Sequence, residues 1–423
     1  MSTRVVGRRA FIRGAGMLGG AVALSGIAGC AKSDETTPAA SGGTIDKDAI
    51  NFVGLYGTSG AQAELGKEAV DGLRLVPALY GGKLAGRRLE VVTYDTQEKI
   101  DDAVRRTRES SSAGARFFFG GLLSNVALAV SDETNRAGGL FATAAGADEI
   151  TGKECRSGTF RWAVATYGAV QETVRRLAEQ QPSLRRWYTI TPDYVFGQSL
   201  LAAAKEVFRA RGIEHVGNSF HGLDATEFSG YVNNAVAAKP DVLCILNFGA
   251  QSTTTIKQAV SFGVKKKMTI LLVWSGGLSQ FRALGADTME GIYAGAQYWH
   301  TLDTPENKRF VEAFRREHDG ANPGYGHAVG YATAKMIADG VQKAGSADPA
   351  AVAKALEGTR FAGLTGQETI RAQDHQVVRD YLLLRGRKKS AMADDDDLVE
   401  LVSRGASVVP AERTGCTLRP LGS

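Results

Sequence analysis

Ile50-Asn51-Phe52-Val53-Gly54-Leu55-Tyr56 and then Leu65–Tyr80, with apolar residues three and four apart, decide the fold. The first piece is an apolar run of strand length, and the last has the period of a half-buried helix. The unit recurs. Arg88–Asp95 reads as a strand, Asp101–Ala113 as a helix, Phe117–Gly120 as a strand, Ser124–Ala137 as a helix and Gly139–Thr143 as a strand. Gly81-Gly82 punctuates the first connection. Strands alternating with helices in this way predict a parallel sheet with helices on both faces. After Phe160-Arg161 the rhythm restarts: helix Ala169–Glu179, strand Arg186–Thr191, helix Ser199–Arg211 and strand His215–Phe220. Helix Glu227–Ala238 follows, with Asp224 or Thr226 as its cap, then strand Asp241–Asn247, helix Thr253–Phe262 and strand Met268–Trp274. Asn307–Glu317, Ala328–Ala344 and Pro349–Leu356 read as further helices, and Glu368–Ile370 and Asp380–Arg385 as strands. The expectation is an α/β protein of two Rossmann-like parallel-sheet lobes.

A chain of 423 residues, 43% of them hydrophobic, is long enough for two such cores. The formal charge of +5 is concentrated at one end. Arg4, Arg8, Arg9 and Arg13 precede Cys30 in a stretch without an acid, so the rest is nearly balanced. That balance argues against a nucleic-acid partner. Gly7-Arg8-Arg9-Ala10-Phe11-Ile12-Arg13 is followed by the uncharged, apolar Met17–Ala28 and by Ile27-Ala28-Gly29-Cys30. This leader resembles a twin-arginine export signal joined to a bacterial lipoprotein box, and its apolar stretch is short for a membrane span. The resemblance implies a signal peptide over 1–29 and lipidation of Cys30. Residues 30–47, rich in small and polar residues, would then form a tether.

Cys244 lies in an apolar run and reads as an inert core thiol. Cys155 and Cys416 stand in polar, loop-like contexts, where an oxidising compartment would let them pair and staple the C-terminal segment to the body. Asp394–Asp397, a run of four acids, lacks the alternation and glycine turn of a calcium loop and reads as a solvated loop. Neither a metal nor a cofactor site is expected.

Several blocks then follow in fixed order. They are Ser59-Gly60-Ala61-Gln62-Ala63-Glu64-Leu65-Gly66, Tyr94-Asp95-Thr96-Gln97, Gly120-Gly121-Leu122-Leu123-Ser124 and Asp193-Tyr194-Val195-Phe196-Gly197. Lys239-Pro240-Asp241, Gln258-Ala259 with Gly263, and Gly366 with Arg371-Ala372-Gln373-Asp374-His375-Gln376 complete the series. In these the chain resembles the solute-binding proteins of branched-chain amino acid, amide and aromatic-compound ABC importers, the type I periplasmic-binding fold. The resemblance implies two lobes joined by a three-segment hinge. Lobe 1 would be 48–163 plus 299–360, lobe 2 would be 164–298 plus 361–402, and 403–423 would be a tail.

The same resemblance places a ligand in the cleft, outside the carboxyl ends of the strands. Ser124, where a strand gives way to a helix, and the N–H groups beside it, with Asn125, would hold an acid group by dipoles. Ala145 and Ala147, in a small-residue loop, would let backbone approach the ligand. Tyr194, Phe196 and Phe248 would cover it, with Tyr56 and Leu65 as an apolar wall. Amino-acid-binding relatives hold the ammonium with an acid after the strand near 272, but Leu271-Leu272-Val273-Trp274-Ser275-Gly276-Gly277 has none. Trp274 and Ser275 there suit an aromatic acid or an amide, with Glu64 as a remote substitute for the charge. The expected partners are a small hydrophobic amino acid, amide or aromatic organic acid and a membrane ABC permease, bound by a monomer on the outer face of the cytoplasmic membrane. No catalytic residue is expected. Arg371 with Asp374-His375-Gln376 reads as a hydrogen-bonded turn, and the hydrolase signatures Gly-x-Ser-x-Gly and His-Glu-x-x-His are lacking. A ligand-sensing lipoprotein without transport is the alternative, and an exported hydrolase a lesser one.

Overall fold

The computed structural model describes residues 43–423, so the expected export signal, Cys30 and most of the expected tether lie outside the described residues. The first sheet is built from β1 (Ile50–Tyr56), β2 (Lys83–Leu84), β3 (Arg87–Asp95), β4 (Phe117–Gly120), β5 (Leu140–Thr143) and β6 (Thr159–Arg161). Its order is β2-β3-β1-β4-β5-β6, parallel except for the β2–β3 hairpin. All residues of β1 and β4 are buried, as strands covered on both faces must be. The crossovers are α1 (Ala63–Arg74) with the short α2 (Val76–Leu79), α3 (Ile100–Ser112) and α4 (Ser124–Arg136).

The second sheet follows α5 (Thr166–Val170), a π-type turn at Gln171–Arg175 and α6 (Arg176–Gln180). It runs through β7 (Arg186–Pro192), α7 (Val195–Arg211), β8 (Glu214–His221), α8 (Ser229–Ala238), β9 (Val242–Ile245), α9 (Gly249–Ser261) and β10 (Thr269–Leu272). Then come α10 (Leu278–Leu284), α11 (Ala286–Met289) and β11 (Tyr293–Ala296). The chain leaves for α12 (Pro305–Glu317), α13 (Tyr325–Ala344) and α14 (Pro349–Leu356) and a small antiparallel sheet of β12 (Arg360–Gly363), β13 (Gly366–Ile370) and β14 (Val377–Val378). It returns as β15 (Tyr381–Gly386) and β16 (Val399–Gly405), giving the order β16-β15-β11-β10-β9-β7-β8. β15 and β16 join the second sheet antiparallel, as β2 joins the first, so both large sheets are mixed rather than purely parallel. Helix α13 lies on α1, where Gly330 leaves the Ala69 carbonyl no room for a methyl group. Among the described residues no helix is long and apolar enough to cross a membrane.

The strands pass between the two lobes at Trp162–Ala165, Gln297–Trp299 and again between β12 and β15, and one buried network ties these crossings together. The Gln297 side chain donates to the Val164 carbonyl (3.0 Å) and accepts from the Val164 N–H (3.0 Å) and from Arg379 (2.7 Å). Arg379 also lies over the Trp162 ring, 3.7 Å from its centroid, and 3.6 Å from Glu368, with both side chains fully buried. Trp162 Nε1 donates to Glu368 (3.1 Å). Arg371 and Asp374 pair within their turn, and Gln376 accepts from Arg161 Nε (2.6 Å). That turn is therefore part of the hinge.

The Cys155 and Cys416 sulfurs are bonded, with Cα atoms 5.6 Å apart. Beyond β16 the chain crosses from the second lobe to the first, where Ser157 N–H donates to the Arg419 carbonyl (2.9 Å) and Asn135 Nδ2 to that of Pro420 (2.7 Å). This strap roofs a polar cavity of about 530 Å³ that reaches Asp148, Arg161 and Glu206. Cys244 is buried, and burial pushes its thiol up.

Three local readings need correction. Leu65–Tyr80 is not one helix, since Arg74 ends α1 and Pro77 sits in the first turn of a new one. Neither Asp224 nor Thr226 caps α8; Glu227 Oε1 instead accepts the Ser229 N–H (2.8 Å). The Asp394–Asp397 run is not simply solvated. Asp396 accepts from Arg282 at 2.7 and 2.6 Å and from Asn322 at 2.7 Å, and so links α10 to the loop before α13.

Candidate functional site

Two kinds of strand exit meet between the lobes. On the first lobe, β4 ends in Gly120 and Gly121 follows, both at positive φ (138° and 61°), which lets the chain turn tightly into α4. Ser124 is the first residue of that helix and is 1% exposed; the capping position belongs to Leu123. Ser124 Oγ accepts the Ala147 N–H (3.1 Å), so it joins this turn to the loop leaving β5. Leu123 N–H is not free for a ligand, because it donates to Glu98 Oε2 (3.2 Å). The donors left in the turn are those of the first residues of α4, which lack partners within the helix. The methyl groups of Ala145 and Ala147 pack with Val53, Leu55, Phe118 and Val126, so this loop offers backbone rather than side chain.

On the second lobe the exits of β7, β9 and β10 carry aromatic residues. The Phe196 ring lies 5.9 Å from Tyr194, 6.3 Å from Phe248 and 5.3 Å from Trp274, centroid to centroid. Trp274 continues to Tyr381 at 5.9 Å. The two lobes touch here: a methyl group on Gly146 would lie 2.8 Å from Phe196 and from Trp274. Leu65 packs near Gly276, and Gly277 near Tyr325. Beside these contacts a crevice of about 220 Å³ is lined by Gln62, Glu64 and Leu65 from one lobe and Gly249, Thr253 and Gln280 from the other.

Gln62 Oε1 at the crevice, Asn125 Oδ1 in the first turn of α4 and Ser275 Oγ beyond β10 are buried with no hydrogen-bond partner among the described residues. Each such orphan costs about 1–3 kcal/mol unless something pairs with it. Of the residues picked out by sequence, Ser124 and Ala147 are in contact, and Tyr194, Phe196, Phe248 and Trp274 form one cluster. Tyr56 and Leu65 belong to the same large core as Phe196, Phe248 and Trp274. Glu64 is exposed at the crevice rim.

Two carboxyls were not legible as site residues. Glu98 receives the N–H groups of Gly57 (3.1 Å) and Leu123, and burial pushes it up to about 7. Glu68, on α1, accepts the Gly326 N–H (3.0 Å) and is likewise raised by burial to about 7. Glu98 follows the Tyr94–Gln97 block directly, and Glu68 follows Leu65 by one helical turn. Position beside those blocks was the only available signal.

The family model described as Periplasmic binding protein matches residues 49–391. An amino acid ABC transporter substrate-binding protein from Pseudomonas fluorescens Pf-5 is 50% identical in sequence and similar in structure (TM-score 0.84), over 89% of this chain and 100% of that one. Leu/Ile/Val-binding protein homolog 7 of Brucella melitensis is 27% identical over 328 residues, which is 73% of this chain and 80% of that protein. A solute-binding protein of an ABC transporter from R. palustris, in complex with benzoate, shares the fold with TM-score 0.76 and 23% identity, over 88% of this chain and 100% of that one. Two mixed sheets, a triple crossing and a cleft at the strand exits, together with these matches, place the chain in the periplasmic binding protein family.

Proposed function

We propose that the chain is the extracytoplasmic binding component of an ABC importer, closing on a small ligand with an acid or amide head and an apolar or aromatic body. The observation that carries this reading is the meeting, between touching lobes, of the Ser124 turn with its orphaned Asn125 Oδ1, the orphaned Gln62 Oε1 and the aromatic wall of Phe196, Phe248 and Trp274. A ligand that pairs those atoms in the closed form, and fewer in the open one, drives closure by that difference. The relatives support the chemistry, since they include a Leu/Ile/Val-binding protein homolog and a solute-binding protein in complex with benzoate. Among the described residues that line the crevice there is no lysine or arginine, which suits recognition by helix-start dipoles. The released complex would present a surface of both lobes to the permease, and the protein would turn nothing over.

Membrane attachment through a lipidated Cys30 completes the proposal, with 43–47 and the residues before them as tether. Cys30→Ser should move the protein from the membrane fraction to the soluble one.

The decisive experiment is a thermal-shift screen against amino acids, amides and aromatic acids, since a ligand for the folded state raises the unfolding temperature by mass action. Ser124→Ala should weaken a carboxylate hit by about 10-fold or more, the worth of one charge-assisted hydrogen bond. Unchanged affinity for that compound in the variant would remove the central contact.

A further inference from the structure

Glu98 occupies a backbone conformation that has to be held. Gln97 and Glu98 both sit at positive φ (51° and 53°), a region that non-glycine residues rarely adopt and that stores strain. The result is a side chain turned inward, with the residue 8% exposed. Its two oxygens reach two different strand exits: Oε1 accepts the Gly57 N–H beyond β1 (3.1 Å), and Oε2 accepts the Leu123 N–H at the mouth of α4 (3.2 Å). Gly57 makes the approach possible, because a methyl group there would lie 2.8 Å from Glu98 Cγ. Tyr56 of the first lobe and Tyr194 of the second both lie within its electrostatic reach.

We propose that Glu98 is a positioning residue of the cleft: its carboxyl clips the exits of β1 and β4 together and thereby fixes the first turn of α4, where the ligand's acid group is held. The inference rests on the Ser124 reading above. Without the clip, Gly120-Gly121 leaves the turn free to relax, since glycine carries little conformational preference of its own. With it, Leu123 N–H is taken up, and the first N–H groups of α4 are the donors that the turn has left. A carboxyl accepting backbone N–H groups can do this without a positive side chain that would compete for the ligand.

Two measurements test it. In ¹H–¹⁵N spectra of the wild-type protein, the Gly57 and Leu123 amides should titrate together with one midpoint, and in Glu98→Gln neither should move. Calorimetry with L-leucine and with benzoate should show that Glu98→Gln weakens whichever probe the wild type binds by about 10-fold or more. The unfolding temperature of the variant is recorded alongside, so that loss of fold is recognised. Independent titration of the two amides, or a folded Glu98→Gln that binds as wild type, would overturn the clip. If Ser124→Ala binds unchanged while the amides still titrate together, the acid-binding reading fails and the clip stands as a structural fact. If Ser124→Ala weakens binding and Glu98→Gln does not, only the present inference fails. The amide titration decides the clip whichever compound is the ligand.

Discussion

Gly146 has no room for a side chain, because Phe196 and Trp274 of the other lobe occupy the space. Gly146→Ala should therefore force those rings aside or hold the lobes apart, at about 1–3 kcal/mol if overpacking sets the scale. The expected outcome is weaker ligand binding and a larger radius of gyration in the liganded state by small-angle scattering; an unchanged radius would show that the rings yield. Residues of this kind were partly legible. Ser124 and the aromatic positions stand at strand exits flanked by glycine, which hydrophobic period and turn chemistry reveal. Glu98 does not show, since an inward carboxyl on a left-handed turn leaves no period in the sequence. The unavailability of the Leu123 N–H follows from Glu98 and was hidden with it.

At the scale of elements, α1 is wedged between α13 and the start of α10, and this sets the state of Glu68. Around it stand His327 from α13, Arg282 and Ser279 from α10, Glu64 from its own helix and, further off, His318 after α12. His327 Nδ1 is 3.8 Å from Glu68, but it accepts the Gly324 N–H (2.9 Å) and so carries no proton there, while burial lowers its pKa to about 3. It offers Glu68 no positive partner. Burial accordingly raises Glu68 from the ordinary 4.5 to about 7. Because α10 belongs to the other lobe while α13 stays with α1, opening the cleft is expected to uncover the carboxyl on the α10 side and lower its pKa toward the ordinary value. The closed form thus holds the proton more tightly: its advantage is complete below about 4.5 and is lost as pH rises through about 7. Ligand affinity should fall over that interval in the wild type, and Glu68→Gln should flatten the dependence in calorimetry; parallel slopes would refute the assignment. The long helices and the buried strands such as Phe117–Gly120 were readable from period alone. β11, Tyr293-Ala294-Gly295-Ala296, was not, because two alanines and a glycine carry little strand preference. β16, half exposed at a sheet edge, was missed for a related reason.

At the scale of the whole molecule, the crossings behave as a single buried joint. Glu368 and Arg379 are both fully buried, and Arg379 is also held by Gln297 and the Trp162 face. Removing one member of a buried pair leaves the other charge stranded, at about 3–5 kcal/mol. Glu368→Gln should lower the unfolding temperature by several degrees in calorimetry while leaving the cleft residues in place; a shift no larger than that of an exposed substitution would argue against the pair. Composition and alternation foretell two α/β units, but the weaving of Gln297, Arg379 and Trp162 is long-range and leaves no local trace.

The bond between Cys155 and Cys416 spans 261 positions of the chain. It precedes the first crossing and follows the last, so every crossing and the whole second sheet lie inside one covalent ring. A single proteolytic cut anywhere in that ring cannot release a fragment. Such a nicked protein should migrate as one species on a denaturing gel without reductant and fall into two pieces once thiol is added.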